Sequence, residues 1–187
     1  MIGPGFLLFD GASHKHALAW LCQTFPEHSP RPLLQGTAYA ALAEIGPILL
    51  EADAGSALHE AWAQGRNELL NAVWLKSDLP LSGLRDALQS RLRILSPDGR
   101  EFWLRLADSR PLLNVWRTHA HWPDGFWYGV HEVWLRHHEG PLMAWSNEKP
   151  ESNSSTSQDT LYAQITLDWP LLEALAQDES HLQDAQA

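Results

Sequence analysis

The chain has 187 residues, a net charge of −10 at neutral pH with histidine uncharged, and ten tryptophans. That balance speaks against nucleic acid and anionic membrane surfaces as partners, because both are bound through Lys and Arg. No run approaches the roughly 20 apolar residues that a membrane helix needs.

A chain of this length forms one domain, or one domain with a small lobe, and buries roughly 70% of its extended surface. Cys22 is the only cysteine, so no intramolecular disulfide forms, which fits a reducing compartment. The N-terminal MIGPGFLLFDG has no basic region and a short apolar run. No secretory signal is read there, and the expected location is the cytoplasm.

Residues 5–10 read as a short buried strand stopped by Asp10-Gly11. Ser13 is placed to cap a helix with Ala17, Leu18, Leu21 and Phe25 on its inner stripe, and Cys22 is expected as a buried structural thiol beside them. Prolines 26, 30 and 32 make the exit a loop. Residues 33–35 begin a second strand, residues 38–44 form a short helix ended by Gly46-Pro47, and residues 48–51 form a third strand, apolar on both faces as in a central strand. Ser56 caps the next helix, which turns Leu58, Ala61 and Trp62 inward and ends before Gly65; residues 72–75 are a fourth strand.

Leu84, Leu88, Leu92 and Leu95 then recur at helical spacing. Ser96-Pro97-Asp98-Gly99 suits a type I turn. Phe102, Leu104 and Leu106 alternate with Glu101, Trp103 and Arg105 in a strand. Asp108 or Ser109 caps the following helix, with Pro111 in its first turn and Leu112, Leu113 and Trp116 inward. Strands thus alternate with helices up to about residue 119. The predicted class is α/β, with a mixed or mainly parallel sheet flanked by helices.

Beyond His119 the pattern changes. Residues 121–125, HWPDG, are turn-rich; residues 126–136 and 142–145 read as a β-hairpin joined through Glu139-Gly140. Residues 147–160 hold no large apolar side chain and are expected as a flexible loop. Residues 161–167 return to strand alternation, Asp168 caps a terminal helix over Leu171, Leu172 and Leu175, and the last ten residues are polar and expected to fray. The division is therefore residues 1–120 as an α/β core and residues 121–187 as hairpin, loop and helix within the same domain.

Chemical motifs are sparse. There is no P-loop, no Gly-x-Gly-x-x-Gly, no Gly-x-Ser-x-Gly and no His-Glu-x-x-His. The histidine pairs 14/16, 119/121 and 137/138 lack an established ligand spacing, so neither metal nor cofactor is expected. Asp10, Asp53, Asp78 and Asp108 end predicted strands, where α/β enzymes place catalytic groups and where Asp also caps helices. A small hydrolase or metal-dependent enzyme using these Asp and His residues is the alternative reading of the chain.

Four stretches also carry a family resemblance. They are Asp10-Gly11-Ala12 after the first strand, Gly46-Pro47-Ile48-Leu49-Leu50, Trp74-Leu75-Lys76-Ser77, and the helix–turn–strand–helix of residues 91–116 with Asp108-Ser109-Arg110-Pro111. In this order they resemble the adaptor-chaperones of bacterial type VI secretion, known as Tap and TEC. Ser109 stands where that family usually has Pro. The resemblance implies a cytoplasmic protein with no reaction of its own, which holds a toxic effector and helps load it onto the VgrG spike. It implies Asp108 and Arg110 as a family signature, read here as fixing local geometry. The physical task is reversible recognition, for which Trp122, Phe126, Trp127 and Trp134 are the candidate anchors.

Overall fold

A computed structural model describes residues 3–155 and 161–177. Its elements are β1 (Gly5–Asp10), α1 (Ala17–Thr24), β2 (Arg31–Pro32), β3 (Pro47–Ala52), α2 (Ala57–Ala63), β4 (Val73–Ser77), α3 (Leu81–Gln89), β5 (Arg93–Leu95), β6 (Glu101–Trp103), α4 (Ser109–Thr118), β7 (Val130–His137), β8 (Gly140–Ser146), β9 (Ile165–Thr166) and α5 (Trp169–Ala176).

Six strands form one sheet in the order β2-β3-β1-β4-β7-β8, and each neighbouring pair in it is antiparallel. This corrects the expected mixed or mainly parallel sheet. β3 and β4 run the same way, but β1 lies between them and pairs with both: Leu7 faces Leu50 on one side and Trp74 on the other. Alternating strands and helices fix where elements lie along the chain, not which strand is inserted between two others. β1 takes the central place because Phe6 to Phe9 are all buried, so both of its faces and both of its edges need cover. A smaller sheet, β6-β5-β9, holds a parallel pair, β5 with β9.

The flanking helices are as predicted. Phe6, Leu8, Leu49, Val73 and Leu75 pack in one cluster with Leu84 and Leu88 of α3, Leu112 and Val115 of α4, and Leu171 of α5. Leu7, Phe9, Ile48, Leu50 and Trp74 pack on the other face with Leu21 of α1 and Leu58 and Trp62 of α2. β7 extends the sheet from β4, so the C-terminal hairpin shares the sheet of residues 5–77.

Several local expectations shift. Ser13 does not cap α1; its hydroxyl donates to the Asp10 carbonyl at 2.6 Å, and the helix starts after His16. Cys22 sits one step round from buried Leu21 and is exposed rather than buried. The second strand lies at Arg31–Pro32, with the expected 33–35 in a turn, and the helix expected at 38–44 reduces to one 3-10 turn, Ala40–Leu42. α3 ends at Gln89, so Leu95 belongs to β5. The next turn closes as predicted, with the Gly99 N–H donating to the Ser96 carbonyl at 2.9 Å and Gly99 at φ 84°.

The caps at Ser56, Asp108 and Asp168 each accept a backbone N–H at the helix start. Leu161, Ala163, Ile165 and Leu167 are buried in alternation as predicted, although only Ile165 and Thr166 join a ladder.

Residues 147–155 carry no large apolar group and are tied down by hydrogen bonds instead. Asn147 Nδ2 donates to the carbonyls of Trp127 and Val130 at 2.9 and 3.0 Å. The Pro150 carbonyl accepts from Gly129 N–H at 2.7 Å. Arg91 donates to Asn153 Oδ1 at 2.7 Å. The rest of the expected flexible loop, residues 156–160, and the C-terminal residues 178–187 lie outside the described residues.

Candidate functional site

The predicted anchors fall into two places. Trp122 stacks on Phe126, with ring centroids 4.4 Å apart, and meets Trp127 and Trp145 edge-on at 5.2 and 5.7 Å. Phe126 is 1% and Trp127 8% exposed, and both belong to the main core cluster. Trp134 lies on the other face of the sheet, partly buried, with its Nε1 donating to Glu132 at 2.7 Å. The structure thus brings Trp122, Phe126 and Trp127 together as a packed cluster and leaves Trp134 apart from them.

Arg91 anchors that cluster from below. It is 2% exposed, and it donates to the carbonyls of Phe126, Gly125 and Ala87 at 2.7, 3.0 and 3.1 Å. Burial disfavours its charge and lowers its pKa to about 10.

Asp108 and Arg110, the pair that carried the resemblance, are here a joint. Asp108 is 1% exposed. Its carboxylate accepts the Arg110 backbone N–H at 3.1 Å and a forked pair from the Arg110 side chain at 2.9 and 2.8 Å. Arg105 bridges Asp108 at 3.0 Å to Asp10 at 2.8 Å. The end of β1 is thereby fastened to the start of α4. Paired and capped in this way, a buried carboxylate is tolerated; alone it would be costly.

Of the strand-end acids, Asp10 and Asp108 come together on Arg105, and the other two do not join them. Gly5 of β1 lies opposite Ala52 and Phe6 opposite Leu75, so Asp53 and Asp78 lie at the sheet end opposite Asp10. In an antiparallel sheet the C-terminal strand ends alternate between edges, which removes the shared crevice of doubly wound enzymes. Among the described residues, possible metal ligands cluster at His137, His138 and Glu139 in the β7–β8 turn, with ligand atoms within 4.8 Å of one another. Burial, the His138 charge and the Arg117 charge lower the His137 pKa.

What the sequence reading passed over is the surface around β6. Phe102 and Trp103 are 40% and 48% exposed, and Leu42, Ile45 and Trp169 are exposed nearby. Trp103, Leu104 and Arg105 line two cavities at once. One, of about 280 Å³, is closed by Leu34, Leu42 and Ile45. The other, of about 400 Å³, is closed by Phe102, Trp169 and Leu172. Arg100 lies 5.7 Å from the rings of both Phe102 and Trp169, and Arg93 lies 5.8 Å from the ring of Trp103. Exposed aromatic rings overlain by arginine have the composition of interface cores. The readable signal was the adjacency of Phe102 and Trp103: two aromatics in succession put a ring on each face of a strand, more than a one-sided strand needs.

The family model described as Domain of unknown function (DUF4123) matches residues 5–122. The chain belongs to this family. It is the family to which the Asp10-Gly11, Gly46-Pro47 and Asp108–Arg110 motifs point, and the matched span contains β6, the whole lining of the first cavity and the Asp10–Arg105–Asp108–Arg110 joint. No curated protein and no solved structure matches the chain. Among the described residues no helix is long and apolar enough to cross a membrane.

Proposed function

We propose that this protein is an adaptor-chaperone that binds a type VI secretion effector in the cytoplasm and helps load it onto the VgrG spike. The observation that carries the reading is family membership over residues 5–122. The exposed apolar groove on both sides of β6 supports it, because a protein that works by reversible recognition needs exposed aromatic and aliphatic anchors. No reaction belongs to this reading. Asp53 and Asp78 stand at the sheet end opposite Asp10, and Asp10 and Asp108 are engaged by Arg105 and Arg110, which weighs against the alternative hydrolase.

The test is co-purification of the full chain with the effector encoded beside its gene, together with secretion of that effector from a strain lacking the gene. A stable complex and loss of secretion are expected. Normal secretion and no complex would remove the reading.

A further inference from the structure

We propose that the open edge of β6 takes up an extended, apolar segment of a partner polypeptide as an added strand, with a carboxylate of that segment meeting Arg105 at the groove mouth. For the partner's identity this rests on the adaptor reading; for the mode of binding it rests on the edge itself.

The hydrogen-bond phase of β6 is fixed by its neighbours. Leu104 N–H donates to the Leu92 carbonyl at 2.8 Å and Ser96 N–H to the Arg100 carbonyl at 2.9 Å, with Phe102 opposite Ile94 between them. Residues 100, 102 and 104 therefore bond to β5. In an antiparallel ladder the alternate residues turn their backbone groups the other way. Glu101 and Trp103 thus direct N–H and C=O away from β5, and among the described residues nothing bonds to them. These groups repeat about 7 Å apart, the two-residue rise of a strand. Natural proteins blunt such edges with short strands, charge, proline or a covering segment; Glu101–Trp103 is short and its one charge, Glu101, is engaged by Arg93, but it has no proline, and two of its three side chains are large exposed aromatics.

An added strand would send successive side chains to opposite faces. One set would meet the cavity at Phe102, Trp169 and Leu172, the other the cavity at Trp103, Leu42 and Ile45. The segment that fits is apolar on both faces. Charge narrows it further. The chain carries −10 overall, but Arg105, which lines both cavities, has a side chain 58% exposed while the Asp10 and Asp108 carboxylates it pairs with are 14% and 2% exposed. The guanidinium faces out and the carboxylates that balance it lie behind, so the groove mouth suits an acidic flank.

The test pans a displayed library of random 12-residue peptides against the full chain, then measures the enriched peptides on variants. Trp103→Pro removes an outward N–H and leaves the β5–β6 ladder intact; Trp103→Thr loses the ring but keeps the N–H. Enriched peptides should carry an apolar run beside Asp or Glu. They should bind Trp103→Pro about tenfold or more weaker than Trp103→Thr, an effect of hot-spot size, and slow exchange of the Glu101 and Trp103 amides. Should Trp103→Pro fail to fold, Ile45→Lys, at an exposed position, must weaken binding by a similar factor. Three outcomes overturn the proposal: no enrichment, binding indifferent to these substitutions, or a reversible dimer of the free chain lost in Trp103→Pro. An effector that co-purifies equally with Trp103→Pro overturns the strand addition and leaves the adaptor reading standing. Peptides that add at β6 while no effector co-purifies leave the strand addition standing and remove the adaptor reading.

Discussion

Around Trp127 the aromatic rings face one another, with Trp122, Phe126 and Trp145 in contact and Arg91 bonding the carbonyls behind them. Around Trp103 the rings face outward, each overlain by an arginine. The two regions use the same residue types. What separates them is how far other chain segments cover the rings: the Trp127 cluster is closed by β7, β8 and residues 147–155, whereas among the described residues β6 is an edge strand, with Trp103 meeting the Tyr39 ring edge-on at 5.0 Å. Aromatic content therefore marks contact area, and only the neighbours decide whether that area is spent on folding or left for a partner.

The sharpest way to break this comparison is to truncate one ring in each region. Trp127→Ala should cost about 3–5 kcal/mol of folding stability, as for other large-to-small core changes, read by urea denaturation. A loss below about 1 kcal/mol would mean the cluster is not core. Next in size, Asp108→Ala should cost about 2–3 kcal/mol, because it removes a helix cap together with the charged bonds to Arg105 and Arg110. Asp108→Asn should recover part of that loss, since an amide oxygen can still accept the Arg110 N–H.

Asn153→Ala tests whether residues 147–155 belong to the packed region. It removes the acceptor for Arg91 and should cost about 1 kcal/mol, with faster proteolysis inside 147–155. No change in either would return that segment to the flexible loop expected from its composition. Trp103→Ala should change stability by about 1 kcal/mol or less while weakening partner binding by about 2 kcal/mol, the reverse of Trp127→Ala.

The smallest effect is a pH dependence. Burial acts to raise the Glu132 pKa, but bonds from Trp134 and Lys76 outweigh it and hold the carboxyl below its ordinary 4.5. A depressed carboxylate stabilises the fold above its unfolded pKa and loses that contribution as pH falls through the folded value. Glu132→Gln should therefore lower stability slightly at neutral pH, by about 0.5 kcal/mol for a partly exposed pair, and the gap to the parent should close on acidification below 4.5. A gap that stays constant with pH would mean that hydrogen-bond shape, not charge, sets the contribution.

Much of this was local and could be read along the chain. The caps at Ser56, Asp108 and Asp168 were legible because a short oxygen-bearing side chain before an apolar stripe satisfies helix N–H groups using only nearby atoms. The turn at 96–99, the buried alternation of 161–167, and the inner positions Leu58 and Trp62 of α2 and Leu112 and Leu113 of α4 follow from the same short-range rules, whereas Trp116, expected inward, is only partly buried and Val115 is buried instead. At Asp108 and Arg110 the resemblance marked the pair and the cap was legible, but the fork of Arg110 onto the Asp108 carboxylate came only from the structure.

Other features depended on segments far apart in the chain. β1 enters between β3 and β4, some 40 and 67 residues on, and that insertion turned the expected mainly parallel sheet antiparallel. Cys22 came out exposed because the stripe of α1 against Phe9 and Leu50 is narrow. Trp127 is covered and Trp103 is not because β7 pairs with β4 while β6 finds a neighbour on one side only. A residue's own side chain fixes how much surface it offers. Which surfaces meet is set by strand pairing across the whole chain, a choice that local propensity does not encode.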